Sequence, residues 1–138
     1  MDDELQLRIL TPGREALAVP VDSVNLTASE GEVGILPGHA ALLTALRPGP
    51  ATVVTGGQTH HWALGGGFLE VADGRVTALV QSAESADQID VERAEARRRA
   101  REEELKREQL SEFEMKVAEV SLEKQLTRIQ VAGRLVGR

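Results

Sequence analysis

Two periodicities divide the chain. From residue 5 onward, apolar and polar positions alternate with period two. Leu5, Leu7 and Ile9 fall on one face, Val24, Leu26 and Ala28 on another, and Val76, Ala78 and Val80 on a third. Such alternation predicts half-buried β-strands. Turn chemistry separates them at Thr11-Pro12-Gly13, Pro37-Gly38, Pro48-Gly49-Pro50, Gly56-Gly57 and Asp73-Gly74. That spacing suits an antiparallel sandwich or barrel of roughly eight to ten short strands. The five prolines all precede Ala51, and residues 75–132 hold neither Gly nor Pro. Beyond residue 86 the composition is that of a helix.

The helical stretch sets Glu95 before Arg99, Glu102 before Lys106, Glu103 before Arg107 and Glu112 before Lys116, all at i, i+4. Each such pair contributes only ~0.2 to 0.5 kcal/mol. Asp90 reads as an N-cap, and Ser111 with Glu114 as a capping box that starts a second helix. A hairpin broken near 108–111 follows. Met115, Leu122, Ile129 and Val136 recur every seven residues with Ala118 and Leu126 alongside, an apolar seam for a partner helix. The facing stretch, 91–105, offers mainly alanines, so little apolar area holds the hairpin shut. Without Gly or Pro at the bend, one continuous helix of ~40 residues, about 60 Å long, competes with the hairpin. A two-state tail and a permanently folded hairpin or solvated arm are both open on these grounds.

The fold class expected is therefore α+β: a β-sandwich over 1–86 and a two-helix antiparallel hairpin over 87–138. Charge follows the same division. The 138 residues carry net −6, with 10 acidic and 4 basic residues in 1–86 but 12 of each in 87–138. An acidic chain with 2 Phe, 1 Trp and no Tyr argues against nucleic acid as a partner. There is no cysteine, and His39, His60 and His61 show no metal spacing. The opening MDDELQLRIL lacks a basic-then-apolar signal pattern, and no apolar run approaches the ~20 residues that span a bilayer. A cytoplasmic location is expected.

Little in the chain suggests independent catalysis, since its acids are scattered and no Ser, His and Asp set converges. His39 follows Pro37-Gly38, where a ring nitrogen bonding neighbouring backbone is the expected role. His60 and His61 belong on opposite strand faces, and Trp62 anchors a sheet edge or the helical region. Gly65-Gly66-Gly67 resembles a phosphate cradle, but no Lys-Ser/Thr follows and 68–71 reads as strand. Asp90 and Arg93, one turn apart at a helix start, either cap and pair locally or hold a nucleotide phosphate. Arg128 would come near if the second helix folds back.

Three stretches carry a resemblance: EGEVGILPGHAALL at 30–43, GGGFLEV at 65–71 and IDVERA at 89–94. Read alone, the first is either a shaped docking loop, reversed at Gly31, Gly34 and Pro37-Gly38, or a simple β-meander corner. Together, with the charged tail behind them, they resemble the epsilon subunit of a bacterial F-type ATP synthase over nearly the whole chain. The resemblance implies a noncatalytic rotor subunit, with no required cofactor, at the cytoplasmic face of the bacterial inner membrane and held there only through the complex. Its implied partners are the gamma subunit and the proton-carrying c-ring, with Glu32 facing the ring and His39 facing gamma. An extended tail would press Arg97, Arg98, Arg99 and Arg101 on the alpha and beta subunits and restrain hydrolysis; a solvated, salt-paired face explains the same arginines. Some relatives bind a regulatory ATP, which here implies Glu84, Ile89, Asp90, Arg93, Ala94, Lys124 and Arg128. Lys124 stands where those relatives carry arginine and lacks the bidentate fork, so weaker or absent binding is expected. A stand-alone ATP sensor and a coiled-coil adaptor are the rival readings.

Overall fold

Period-two alternation becomes strand at every place where it is bounded by a turn. The computed structural model describes residues 4–136, and the side chains of 4–134. Its ten strands are β1 Leu5–Thr11, β2 Arg14–Val21, β3 Ser23–Ala28, β4 Gly31–Ile35, β5 Leu42–Leu46, β6 Gly49–Thr55, β7 Gln58–Leu64, β8 Gly67–Ala72, β9 Arg75–Val80 and β10 Ala83–Ser85. They pair in the order β10-β7-β6-β3-β5-β8-β9-β1-β2, with β4 added to β3. The sheet curls over so that β2 packs on β6. Arg14 Nη2 donates to the Ala83 carbonyl at 3.1 Å and ties β2 to β10. The result is the expected sandwich, rolled nearly into a barrel.

The three predicted apolar faces all point into one core, where Leu5, Leu7, Ile9, Val24, Leu26, Val76, Ala78 and Val80 meet Ile35, Val53, Trp62 and Leu69. Trp62 thus anchors the sandwich itself, beside β10, which pairs Ser85 with it. Gly56 and Gly57 both take positive φ, +56° and +77°, the conformation a two-residue hairpin turn demands between β6 and β7. Two details depart from the sequence reading. β1 pairs with β9 in parallel, because these strands meet through a long excursion and no tight turn dictates their direction. Gly49 and Pro50 lie inside β6 instead of a turn; a Cβ on Gly49 would meet Thr27 Oγ1 at 2.4 Å.

The strands end in a single 3-10 turn, Ala86–Gln88, followed by α1, Val91–Leu105, and α2, Glu112–Val136. The hairpin prevails over the continuous helix. Ser111 N–H donates to Glu114 Oε1 and Glu114 N–H to Ser111 Oγ, both at 3.0 Å, so the predicted capping box restarts the helix. The Ser111 N–H, helped by its hydroxyl, holds the Glu114 carboxyl below its ordinary range. Against the sandwich, α2 contacts β6, β7 and the 3-10 turn. Its apolar cluster there is small: Ala63, Ala86, Ile89, Val131 and Ala132.

The apolar seam is looser than expected. Ala118 is buried, Leu122 and Ile129 are half-buried, but Met115 and Leu126 are exposed, and the side chain of Val136 lies outside the described residues. α2 buries Gln125, Thr127 and Arg128 instead. The ion pairs also shift. Arg98 bridges Glu95 at 2.8 Å and Glu102 at 2.9 Å, and Lys106 pairs with Glu103, while none of the four predicted i, i+4 pairs forms among the described residues. Glu95, and then Glu102, raise the Arg98 guanidinium further above its already high value.

Candidate functional site

The junction between β10 and the two helices gathers most of the residues singled out in the sequence. Ser85 N–H donates to Gln88 Oε1 at 3.2 Å, which starts the 3-10 turn. Ile89 is then tucked into the small cluster under α2. Asp90 Oδ1 accepts the Arg93 N–H at 3.0 Å and caps α1. This cap leaves the Arg93 side chain in solvent, while Ala94, one residue on, is fully buried.

Across the junction Arg128 reaches back from α2 to β10. Its Nε donates to Glu84 Oε1 at 2.7 Å and its Nη2 to Glu84 Oε2 at 3.2 Å, a forked, charge-assisted pair. Nη1 donates to Gln125 Oε1 at 2.9 Å, one helical turn earlier. The guanidinium side chain is only 7% exposed and the Glu84 side chain 30%. A more open pair, Arg47 with Glu123 at 3.6 Å, joins the same two bodies. Buried polar groups thus carry much of the docking that few apolar atoms supply.

Lys124 is not part of this pair. It lines a neighbouring cleft with Arg97 and Arg101, between the hairpin and the loops at Gly65-Gly66 and Gln81-Ser82. Arg99 is exposed, and Arg98 is held by its two glutamates. Gly67 explains the Gly-rich loop: a Cβ there would sit 1.9 Å from the Leu79 carbonyl oxygen, so the residue serves close strand packing.

The outer face of the sandwich carries a second feature. Ala45 pairs with Phe68, Phe68 with Leu79, and Leu79 with Leu10, so one register row crosses β5, β8, β9 and β1 with apolar residues. Phe68 is 58% exposed and Leu79 52%, and Leu43, two residues along β5, is 75% exposed. Such a contiguous exposed apolar row makes this face a candidate docking surface. Elsewhere, Glu32 is exposed on β4. The His39 Nδ1–H donates to the Ala40 carbonyl at 2.7 Å, the backbone bond expected of it.

A family model described as ATP synthase, Delta/Epsilon chain, beta-sandwich domain matches residues 4–86. The ATP synthase epsilon chain of Citrifermentans bemidjiense is 41% identical over 138 residues, all of both chains. That of Geobacter sulfurreducens is 42% identical over 134 residues, 97% of each. The chain belongs to the ATP synthase epsilon family. Solved structures agree in fold. A chain in the cryo-EM structure of the Euglena gracilis mitochondrial ATP synthase (OSCP/F1/c-ring) aligns with TM-score 0.82 at 24% identity, covering 96% of this chain and 82% of that one. One from the Tetrahymena thermophila central stalk and c-ring aligns at 0.59 and 16%, covering 95% of each.

Within this epsilon-family fold, the structure unites Glu84 with Arg128 and Asp90 with the Arg93 backbone, and it leaves Lys124 turned to a separate cleft. Sequence reasoning missed Gln125, whose i, i+3 spacing to Arg128 was the available signal. It also missed the outward row, although the alternation that sends Leu69 and Val71 inward sends Phe68 outward. Among the described residues no helix is long and apolar enough to cross a membrane, and no group of His, Asp or Glu could hold a metal ion.

Proposed function

We propose that this chain is a noncatalytic subunit of the synthase rotor, coupling proton flow through the c-ring to ATP synthesis on the cytoplasmic side of the membrane. The observation that carries the reading is the Ala45, Phe68, Leu79, Leu10 row. It supports docking of the sandwich on the gamma subunit, whose implied contact at His39 belongs to the loop just before β5. Glu32, exposed on β4, suits the polar loops of the ring. Phe68→Asp with Leu79→Asp tests this by co-purification with gamma. At least about tenfold weaker association is expected from burying unpaired charge in an apolar interface; unchanged association refutes the docking.

The hairpin is the regulatory half of the proposal. Folded, it is held by Glu84, Arg128 and a few alanines; extended, it carries Arg97, Arg98, Arg99 and Arg101 toward alpha and beta and restrains ATP hydrolysis. A regulatory ATP would meet Arg93 at the start of α1, and Lys124 would have to turn from the neighbouring cleft to reach it. Arg128 would have to leave Glu84 to join them, and Asp90 already accepts a backbone N–H. The residues fit the nucleotide only after that exchange, so its binding is weak. Calorimetry with millimolar ATP checks this: heat that Glu84→Gln enhances supports the exchange, and no heat from either protein disposes of the ligand.

A further inference from the structure

The rolled sheet stops short of closing, and the gap between its two ends is a pocket. β2 ends the sheet on one side. On the other, β10 pairs only with residues 62–64 of β7, so residues 58–60 extend past it. Two hydrogen bonds pin the ends of the gap. Arg14 Nη2 reaches the Ala83 carbonyl at 3.1 Å at one end, and the Thr55 hydroxyl donates to the Pro20 carbonyl at 2.8 Å at the other. Between them lies a space of about 740 Å³, within the usual range of small-molecule sites. Its apolar wall is Leu17 and Val19 of β2 with Val53 and Trp62. Leu17 and Val19 pack against the core yet stay half-buried, since no strand follows β2 in the sheet. β7 brings polar groups to the same side. His60 pairs across the ladder with buried Val53, and Gln58 with Thr55, so both share the core-facing side of β7 with Trp62. Both are exposed and line the mouth, and Ser85 and Asp87, hydrogen-bonded to each other at 2.6 Å, complete the rim.

We propose that this pocket binds a small, uncharged, mainly apolar molecule that carries a hydroxyl or carbonyl group. The wall of Leu17, Val19, Val53 and Trp62 takes the apolar body out of water. His60 and Gln58 meet the polar end, since an imidazole and an amide can each give and accept a hydrogen bond. An anion fits poorly, because Asp87 stands at the rim and among the described residues no Arg or Lys lines the space. An extended peptide fits poorly too. Inserting a strand needs its two neighbours about 10 Å apart, twice the ordinary strand spacing. The bond from Thr55 to Pro20 holds one end narrower than that, Pro20 has no N–H to offer a ladder, and Arg14 crosses the other end. None of Ala45, Phe68, Leu79 and Leu10 lines the pocket, nor do Arg93 and Lys124, so the proposal stands apart from the docking and nucleotide readings.

Trp62 is the one tryptophan of the chain, so its fluorescence reports occupancy of the pocket. The full chain is titrated with benzyl alcohol, toluene and octanoate, excited where indole alone absorbs, and amide NMR shifts locate the contact. A saturable change in Trp62 emission with benzyl alcohol is expected, with shifts at Val19, Val53 and Thr59. His60→Ala with Gln58→Ala weakens benzyl alcohol about fivefold and leaves toluene unchanged. Val19→Phe fills the space and abolishes both, while Phe113→Ser, on the exposed face of α2, alters neither. Several results overturn the proposal: a response that never saturates, octanoate binding as tightly as benzyl alcohol, benzyl alcohol unaffected by the His60 and Gln58 changes, or binding kept in a folded Val19→Phe chain. Saturable binding of a Thr-Val-Thr-Val-Thr-Val peptide at Ala18 and Thr59 in place of benzyl alcohol assigns the gap to strand addition and overturns it as well.

Discussion

Removing either partner of the Glu84 and Arg128 pair should have unequal consequences, and the inequality is worked from burial. The Arg128 side chain is 7% exposed and Glu84 30%. Glu84→Ala strands a guanidinium that has lost two of its three bonds. Breaking a fully buried pair costs about 3 to 5 kcal/mol; because Glu84 is partly exposed and its removal lets water in, about 2 to 3 kcal/mol is expected here. Arg128→Met keeps the packing volume and leaves Glu84 to hydrate. Its main loss is the donor to buried Gln125, about 1 kcal/mol. The double variant should resemble Arg128→Met alone, since no charge remains stranded. Hydrogen exchange at the buried α2 amides around Val131 and Ala132 reads hairpin opening directly. A rise of about 30-fold or more is expected in Glu84→Ala, and about fivefold in Arg128→Met. Equal effects, or a double variant worse than Glu84→Ala, would refute the reasoning.

Three further outcomes follow from other parts of the structure. Gly67→Ala forces a Cβ into the Leu79 carbonyl, so β8 and β9 must separate, and urea denaturation should record a loss of about 1 to 3 kcal/mol or more. Asp90→Ala removes the α1 cap and should lower helicity by circular dichroism, at a cost of about 1 kcal/mol. The Glu114 carboxyl is depressed in the folded chain, so its contribution is present above the unfolded carboxylate range and is lost as pH falls through the lower folded value. Amide protection factors at the start of α2 should therefore fall in acid, and Glu114→Gln, which cannot titrate, should remove that pH dependence.

Local patterns carried the sandwich into view and left its closure hidden. The faces of Leu5, Val24 and Val76 needed only period two, and the caps at Asp90 and Ser111 needed only their own spacing. Pairing β1 with β9 depends on how a sheet rolls, which no local pattern encodes. The seam through Met115 and Leu126 was overdrawn because periodicity marks an apolar stripe without saying what covers it. Here α2 turns Gln125 and Arg128 inward, where Glu84 waits on a strand 44 residues earlier in the chain. Both members of that pair were named as nucleotide contacts; their attachment to each other appears only in the fold. Pro48-Gly49-Pro50 misled for a similar reason, since Gly49 answers to Thr27 on a neighbouring strand.

In the proposed function the sandwich keeps the chain on the rotor while the helices restrain hydrolysis. ATP hydrolysis by a synthase depleted of its own epsilon subunit, reconstituted with the full chain or with residues 1–86, tests it most directly. Both versions should stay bound, and the shortened one should give the higher rate. Equal rates with both versions bound would contradict it and reduce the hairpin to a passive arm.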